Sequence, residues 1–185
     1  MAFSLRRTLG GALAGAAAAG VWAAQQPLDM RIFRVPYDDT ELLGKAVTRS
    51  RAWPVAGIAM HLANGALFGA LYANVAPRVP LPAHLKGPAA GLAEHLLTWP
   101  STAVVGRLHP TGEDFPQLWG DHRAFAQATW RHLLFGMILG ELEFALNGPG
   151  AEATNTTQQD EAPITVDISM NGHGDMSQAS GIELI

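Results

Sequence analysis

The chain contains no cysteine among its 185 residues. Disulfide bonds, thiolate metal sites and cysteine nucleophiles are therefore excluded. Nucleophile elbows, phosphate-binding loops and the H-E-x-x-H zinc motif are also missing, and the segment A-E-H-L-L around Glu94 has no second histidine at the spacing that zinc requires. We expect a protein that is not an enzyme and has no metal site.

Charged residues are scarce, at 15% of the chain against roughly 25% in a typical soluble domain. Six of the sixteen acidic residues lie after Asn147, so the preceding part is poorer still. The net charge of −4 argues against a nucleic-acid partner. Alanine and glycine supply much of the apolar character. A core in water is filled with larger side chains, whereas helices in lipid favour small residues that let their backbones approach.

Four stretches are long enough to cross a membrane, because about 20 helical residues span the hydrocarbon layer. We predict an all-α fold, a four-helix transmembrane bundle with helices at about 8–28, 52–77, 87–106 and 124–147. The first stretch has an alternative interpretation as a secretory signal. The fourth is interrupted by charges, and we expect its Arg131 to extend towards the membrane surface.

The segments outside these stretches predict the remaining organisation. The first loop contains D-D-T-E-L-L-G-K-A-V-T-R-S, which favours a short interfacial helix. Residues 148–185 contain no Lys or Arg and predict a disordered acidic tail. The two longer loops carry more Lys and Arg than the other side, which favours a cytoplasmic location for them. We expect a multi-pass protein of the cell (inner) membrane, with the lipid bilayer as its partner.

The pattern H-L-x-x-G-x-x-x-G-x-L occurs twice, beginning at His61 and at His132. A weaker likeness links G-A-L-A-G-A-A, from Gly11, with G-P-A-A-G-L-A, from Gly87. Because the patterns of two helices each occur twice, the sequence predicts two tandem helical hairpins. Residues four apart share a helix face, so each pattern forms a small-xxx-small stripe for close helix packing. The packing residues are Gly65, Gly69, Gly136 and Gly140, and we expect the two stripes to face each other.

Two sets of polar residues within the predicted spans are candidates for function. His61 and His132 hold equivalent positions, so they could ligate a haem iron or only form hydrogen bonds between helices. Glu94 shares a face with Thr98, and an ionisable group inside a membrane is a functional candidate by default. The predicted proton or cation site consists of Glu94, His95, His61, His132 and Thr98. The alternative is that Glu94 only holds helices together.

The phrase around His61, Gly65, Phe68, Gly69 and Tyr72 resembles one in small bacterial multi-pass membrane proteins of the YagU-like group. The resemblance covers the second predicted helix well and the fourth partly, because Glu143 replaces the tyrosine. It implies a multi-pass inner-membrane protein without an established activity.

Three functions remain open from the sequence. The first is a non-enzymatic structural protein that assembles with itself or with a membrane partner through its glycine faces. The second is a protein that handles protons or cations through Glu94 and the histidines. The third is a bis-histidine haem protein; otherwise no cofactor is expected.

Overall fold

Helices make up most of residues 4–148, the part of the chain that the structure, a computed structural model, describes. The α-helices are α1 (Leu5–Phe33), α2 (Asp39–Val47), α3 (Trp53–Val75), α4 (Ala83–Thr98), α5 (Thr102–Leu108) and α6 (His122–Asn147). No strand occurs within this range, so the predicted all-α class is confirmed. The predicted tail lies outside the described residues, apart from Gly148.

The four long helices lie in the order α3, α1, α6, α4, and each packs on the next. Neighbours are antiparallel. Near one end, the Arg7 side chain of α1 donates to the Asn147 carbonyl of α6 at 3.2 Å. Near the other end, Arg131 of α6 pairs with Asp29 of α1. Helices α3 and α4 stand at the two outer positions and do not pack along each other.

The predicted boundaries of the second and fourth stretches agree well with the observed helices α3 and α6. The first helix is longer than predicted and continues through Pro27 to Phe33. The third stretch, predicted at 87–106 with a kink at Pro100, is helical but divided: α4 ends at Thr98, a 3₁₀ turn covers Trp99–Ser101, and α5 follows directly. Pro100 explains the break, because it has no N–H to donate and its ring crowds the preceding turn.

Helix α2 lies where the sequence favours a short helix. The Asp38 carboxylate caps its first turn by accepting from the backbone N–H groups of Thr40 and Glu41. Its face packs on α3, where Gly44 and Gly57 bring the two backbones together.

By length and composition, one helix in the described range could cross a membrane, Trp53–Arg78, with a mean hydropathy of 1.4. The other long helices are richer in small or polar residues. Their surfaces are nevertheless apolar: large hydrophobic side chains stand exposed on each of the four, including Leu13 (66%), Leu67 (73%), Leu97 (81%) and Phe144 (56%).

The interior combines apolar and polar side chains. An apolar cluster that includes Trp22, Tyr72, Phe135 and Leu139 packs among the long helices. Of the five largest side chains that are less than 2% exposed in the described residues, four are nevertheless polar or charged: Arg131, His95, Gln127 and Asp29. Such residues are rarely buried in water-soluble proteins unless they are paired.

Candidate functional site

Glycines bring the long helices together in the half of the molecule near the start of α1. Gly65 and Gly69 of α3 lie against Gly15 and Gly11 of α1; a Cβ placed on Gly65 would be 2.6 Å from the Gly15 carbonyl oxygen. These contacts leave no room for a side chain.

The same kind of contact joins α4 and α6. Gly136 and Gly140 lie against Gly87, and a Cβ on Gly140 would be 3.2 Å from the Gly87 Cα. The prediction that the α3 and α6 stripes face each other is therefore wrong. Larger side chains lie between those two helices, with the Phe68 and Phe135 rings 5.6 Å apart.

Beyond the glycines, one ring from each long helix joins a continuous row. Trp22 of α1 contacts His61 of α3 at 5.3 Å between ring centroids. It also contacts His132 of α6 at 4.8 Å. The His132 ring in turn lies 5.0 Å from His95 of α4. The repeated pattern predicted that His61 and His132 lie near each other, but it gave no indication that Trp22 contacts both.

The bis-histidine haem interpretation does not fit this geometry. The Trp22 indole packs edge-on against both proposed ligands. The adjoining cleft of about 220 Å³ is below the roughly 300–1,000 Å³ of typical ligand pockets. We derive no haem chemistry for these residues.

All five predicted proton or cation residues line that one cleft: His61, Glu94, His95, Thr98 and His132. The cleft lies between the two outer helices, with parts of α1, α2 and α6 completing its wall. Its boundary also includes acidic and polar groups that the sequence did not assign, among them Tyr37, Asp39, Asn64 and Ser101.

Two buried histidine nitrogens at this site lack a hydrogen-bond partner, Nε2 of His61 and Nδ1 of His95. The other His95 nitrogen lies 3.0 Å from the Thr129 hydroxyl. Thr98 donates its hydroxyl to the Glu94 carbonyl oxygen at 2.9 Å and so bonds within its own helix. Buried polar atoms are normally satisfied, so the two free nitrogens identify where a further polar group would be stabilised.

An ion-pair network adjoins the cleft, and the sequence did not predict it. Arg131 is 1% exposed and donates two hydrogen bonds to the Asp29 carboxylate, of 2.8 and 2.5 Å. Its third nitrogen donates to Asp39 at 2.6 Å, and Nη2 also donates to the Tyr37 carbonyl oxygen at 3.0 Å. The expectation that Arg131 extends to the surface is wrong, because two carboxylates hold it inside.

Neutral side chains complete the network. Gln127 donates to Asp29 at 2.7 Å, and the Trp22 indole donates to Asp39 at 3.0 Å. Burial, together with the charge of Asp39, raises the pKa of the Tyr37 hydroxyl well above its usual range, so that group stays protonated. Asp39 belongs both to the network and to the cleft wall, and it therefore links them.

The loop after α5 does not form a metal site. His109 Nε2 lies 2.9 Å from the Leu42 carbonyl oxygen, and Asp114 pairs with Lys45 at 2.8 Å. Across residues 4–148, no three metal-capable side chains converge. These loop residues attach α2 to the rest of the molecule.

Comparison with protein families, curated proteins and solved structures finds no match to this chain. The resemblance to YagU-like proteins therefore stays a prediction. The function has to be inferred from the cleft and from the surface around it.

Proposed function

We propose that this chain is a multi-pass membrane protein whose polar cleft takes up a proton or a small cation. The many large apolar side chains exposed on the long helices support the membrane location. In water, the exposed leucines on four helices would cost free energy, and contiguous apolar surfaces of this kind mark interaction or membrane sites. In lipid the same surface is solvated by acyl chains, while Asp29 and Arg131 satisfy each other inside.

The proposed arrangement is four membrane helices, α1, α3, α4 with α5, and α6, built as two tandem hairpins. The glycine contacts support the tandem origin. Gly11 meets Gly69 in the first pair and Gly87 meets Gly140 in the second, so the same positions of the repeated phrases are in contact. We propose the inner membrane as its location, as the sequence predicts.

The cation proposal is supported by one observation above all: Glu94 and three histidines line a single cleft that lies among the helices. An isolated carboxylate in an apolar surrounding is unstable unless it gains a proton or a positive partner. A small cation held by Glu94, or a proton exchanged between Glu94 and a histidine, would supply that partner. His132 and His95, whose ring centroids are 5.0 Å apart, provide two neighbouring groups that accept and release protons.

A structural or assembling role is the second candidate. The glycine faces on which it depended contact one another within the chain, so they are not available to a second molecule. We therefore rank this role below uptake by the cleft. No residue is proposed to be catalytic.

Reconstitution into liposomes that contain a pH-sensitive dye tests the proposal. We expect the intact protein to dissipate an imposed pH gradient faster than protein-free liposomes, in the presence of a potassium gradient and ionophore that balance charge. Glu94→Gln should reduce the rate by roughly tenfold or more, since it removes the exchangeable proton while keeping the shape. Glu113→Gln, at an exposed loop position, is the matched control and should leave the rate unchanged. Equal rates in the intact protein and Glu94→Gln would contradict the role of the cleft.

A further inference from the structure

A surface pocket of about 350 Å³ lies where the end of α1 meets the start of α6. It is lined by Ile32, Phe33, Arg34, His122, Arg123 and Ala126. Two arginines and a histidine contribute to it, and no carboxylate does. The nearby Asp121 side chain does not line the pocket. It caps α6 by accepting hydrogen bonds from two backbone N–H groups. The pocket is therefore suited to an anion.

The backbone at Arg34 is unusual. Its φ of 58° is the left-handed conformation that glycine commonly adopts after a helix. Arg34 is the one non-glycine residue with positive φ in residues 4–148. An arginine held in this conformation turns the chain out of α1 and into the pocket wall, and such an outlier is often associated with function.

The seam between α1 and α6, termed the groove, continues from the pocket and carries the exposed apolar side chains of Ile32, Ala126 and Trp130. On α6, residues 123, 126 and 130 share a face, as do residues 25 and 32 on α1. Residues that are three, four or seven positions apart lie on the same side of a helix. The Trp130 indole donates to Gln25 at 3.2 Å and joins the two faces. Ile32 is 65% exposed and Trp130 43% exposed, so the groove is open to its surroundings.

We propose that this pocket binds the phosphate of an anionic phospholipid, with one acyl chain lying in the groove along Ile32 and Trp130. The inference rests on the membrane location proposed above. Charge complementarity selects the headgroup: guanidinium groups bind phosphate through paired hydrogen bonds, and basic pockets between membrane helices bind anionic lipids. The exposed Ile32 and Trp130 side chains of the groove favour a lipid over a free anion.

Native mass spectrometry of the full chain released from nanodiscs of mixed phosphatidylglycerol and phosphatidylcholine tests this site. The intact protein should retain phosphatidylglycerol in preference to phosphatidylcholine. The double variant Arg34→Asn, Arg123→Gln should reduce that preference by roughly tenfold, because two cationic contacts are removed. Asparagine is chosen at position 34 because it tolerates left-handed backbone.

The control is the double variant Arg51→Gln, Arg107→Gln, which removes two exposed arginines that lie outside this pocket and should keep the preference. An unchanged preference in the pocket variant, or an equal loss in the control, overturns the proposal. Displacement of the lipid by millimolar inorganic phosphate would also overturn it, since the site would then select the anion alone. Alkaline carbonate extraction of the same samples separates the two failures: release from the membrane contradicts the location, whereas retention without lipid preference contradicts only the pocket.

Discussion

The long helices are joined in two different ways along their length, and the difference explains where the site lies. The glycine layer contains Gly11, Gly15, Gly65, Gly69, Gly87, Gly91, Gly136 and Gly140. The polar layer contains Trp22, Asp29, His61, His95, Gln127, Arg131 and His132. In the first, backbones touch and almost nothing lies between them. In the second, side chains separate the helices.

The two layers therefore have different energetic origins. The glycine layer is held by dispersion between closely packed backbones. The polar layer is held by directional hydrogen bonds and ion pairs, which are stronger where water is excluded. The candidate cleft lies where side chains keep the helices apart. The glycine layer therefore holds the helices in contact, and the polar layer provides the candidate site.

Removing a charge from the centre of the polar layer should lower the free energy of unfolding the most. Arg131→Met leaves the buried Asp29 carboxylate without its bidentate partner. Removing one member of a buried pair costs about 3–5 kcal/mol. We expect a loss of that size in the free energy of unfolding, measured by SDS titration in mixed micelles.

Arg107→Met is the control for that measurement, since Arg107 is exposed on α5 and lies outside the ion-pair network. It should change stability little. Equal losses in the two variants would mean that the ion-pair network does not stabilise the polar layer.

Adding one methyl group in the glycine layer should have the next largest effect. In Gly65→Ala, the new Cβ meets the Gly15 carbonyl oxygen and the Ala19 side chain, and overpacking of this kind costs about 1–3 kcal/mol. Gly20→Ala is a matched control on α1, because its nearest neighbour would be Leu62 at 3.7 Å. There we expect a gain of about 0.5–1 kcal/mol from helix propensity. The same micelle titration measures both, and opposite signs would support the close contact.

The glycine layer was largely predictable from the sequence. Small residues that are four positions apart lie on one face of a helix, so their pattern indicates directly where two backbones can approach. The pattern identified Gly65, Gly69, Gly136 and Gly140 as packing residues, and each lies at a helix contact. Their partners were assigned incorrectly, because spacing defines a face of a helix but not the helix that covers it.

The polar layer was predicted only in part. Glu94 and the three histidines were identified because each interrupts an apolar stretch, and they line one cleft. The pairing of Arg131 with Asp29 was missed because the two residues are 102 positions apart and Asp29 was taken as the boundary of a span. The available signal was a charge inside the fourth predicted helix and another just after the first, since buried charges must be paired.

Trp22→Phe separates the ring contacts of the polar layer from its hydrogen bonds. Phenylalanine still fills much of the space beside His61 and His132, but cannot donate to Asp39. Loss of a hydrogen bond to a charged group costs about 1.5–3 kcal/mol, and we expect the lower end because Asp39 retains Arg131. Thermal unfolding in detergent measures the change. A variant as stable as the parent would show that the indole contributes through packing alone.

The smallest effect is expected outside both layers, where Lys45 holds the loop after α5. Its hydrogen bond lowers the pKa of the Asp114 carboxyl. A carboxyl whose pKa is lower in the folded state adds stability above its unfolded pKa of about 4. That contribution disappears as the pH falls through the lower, folded value. The advantage of the parent over Asp114→Asn should therefore be present at neutral pH and vanish in acid. Because Asp114 is exposed to solvent, the advantage should also shrink at high salt. An advantage that grows in acid would contradict the pairing of Lys45 with Asp114.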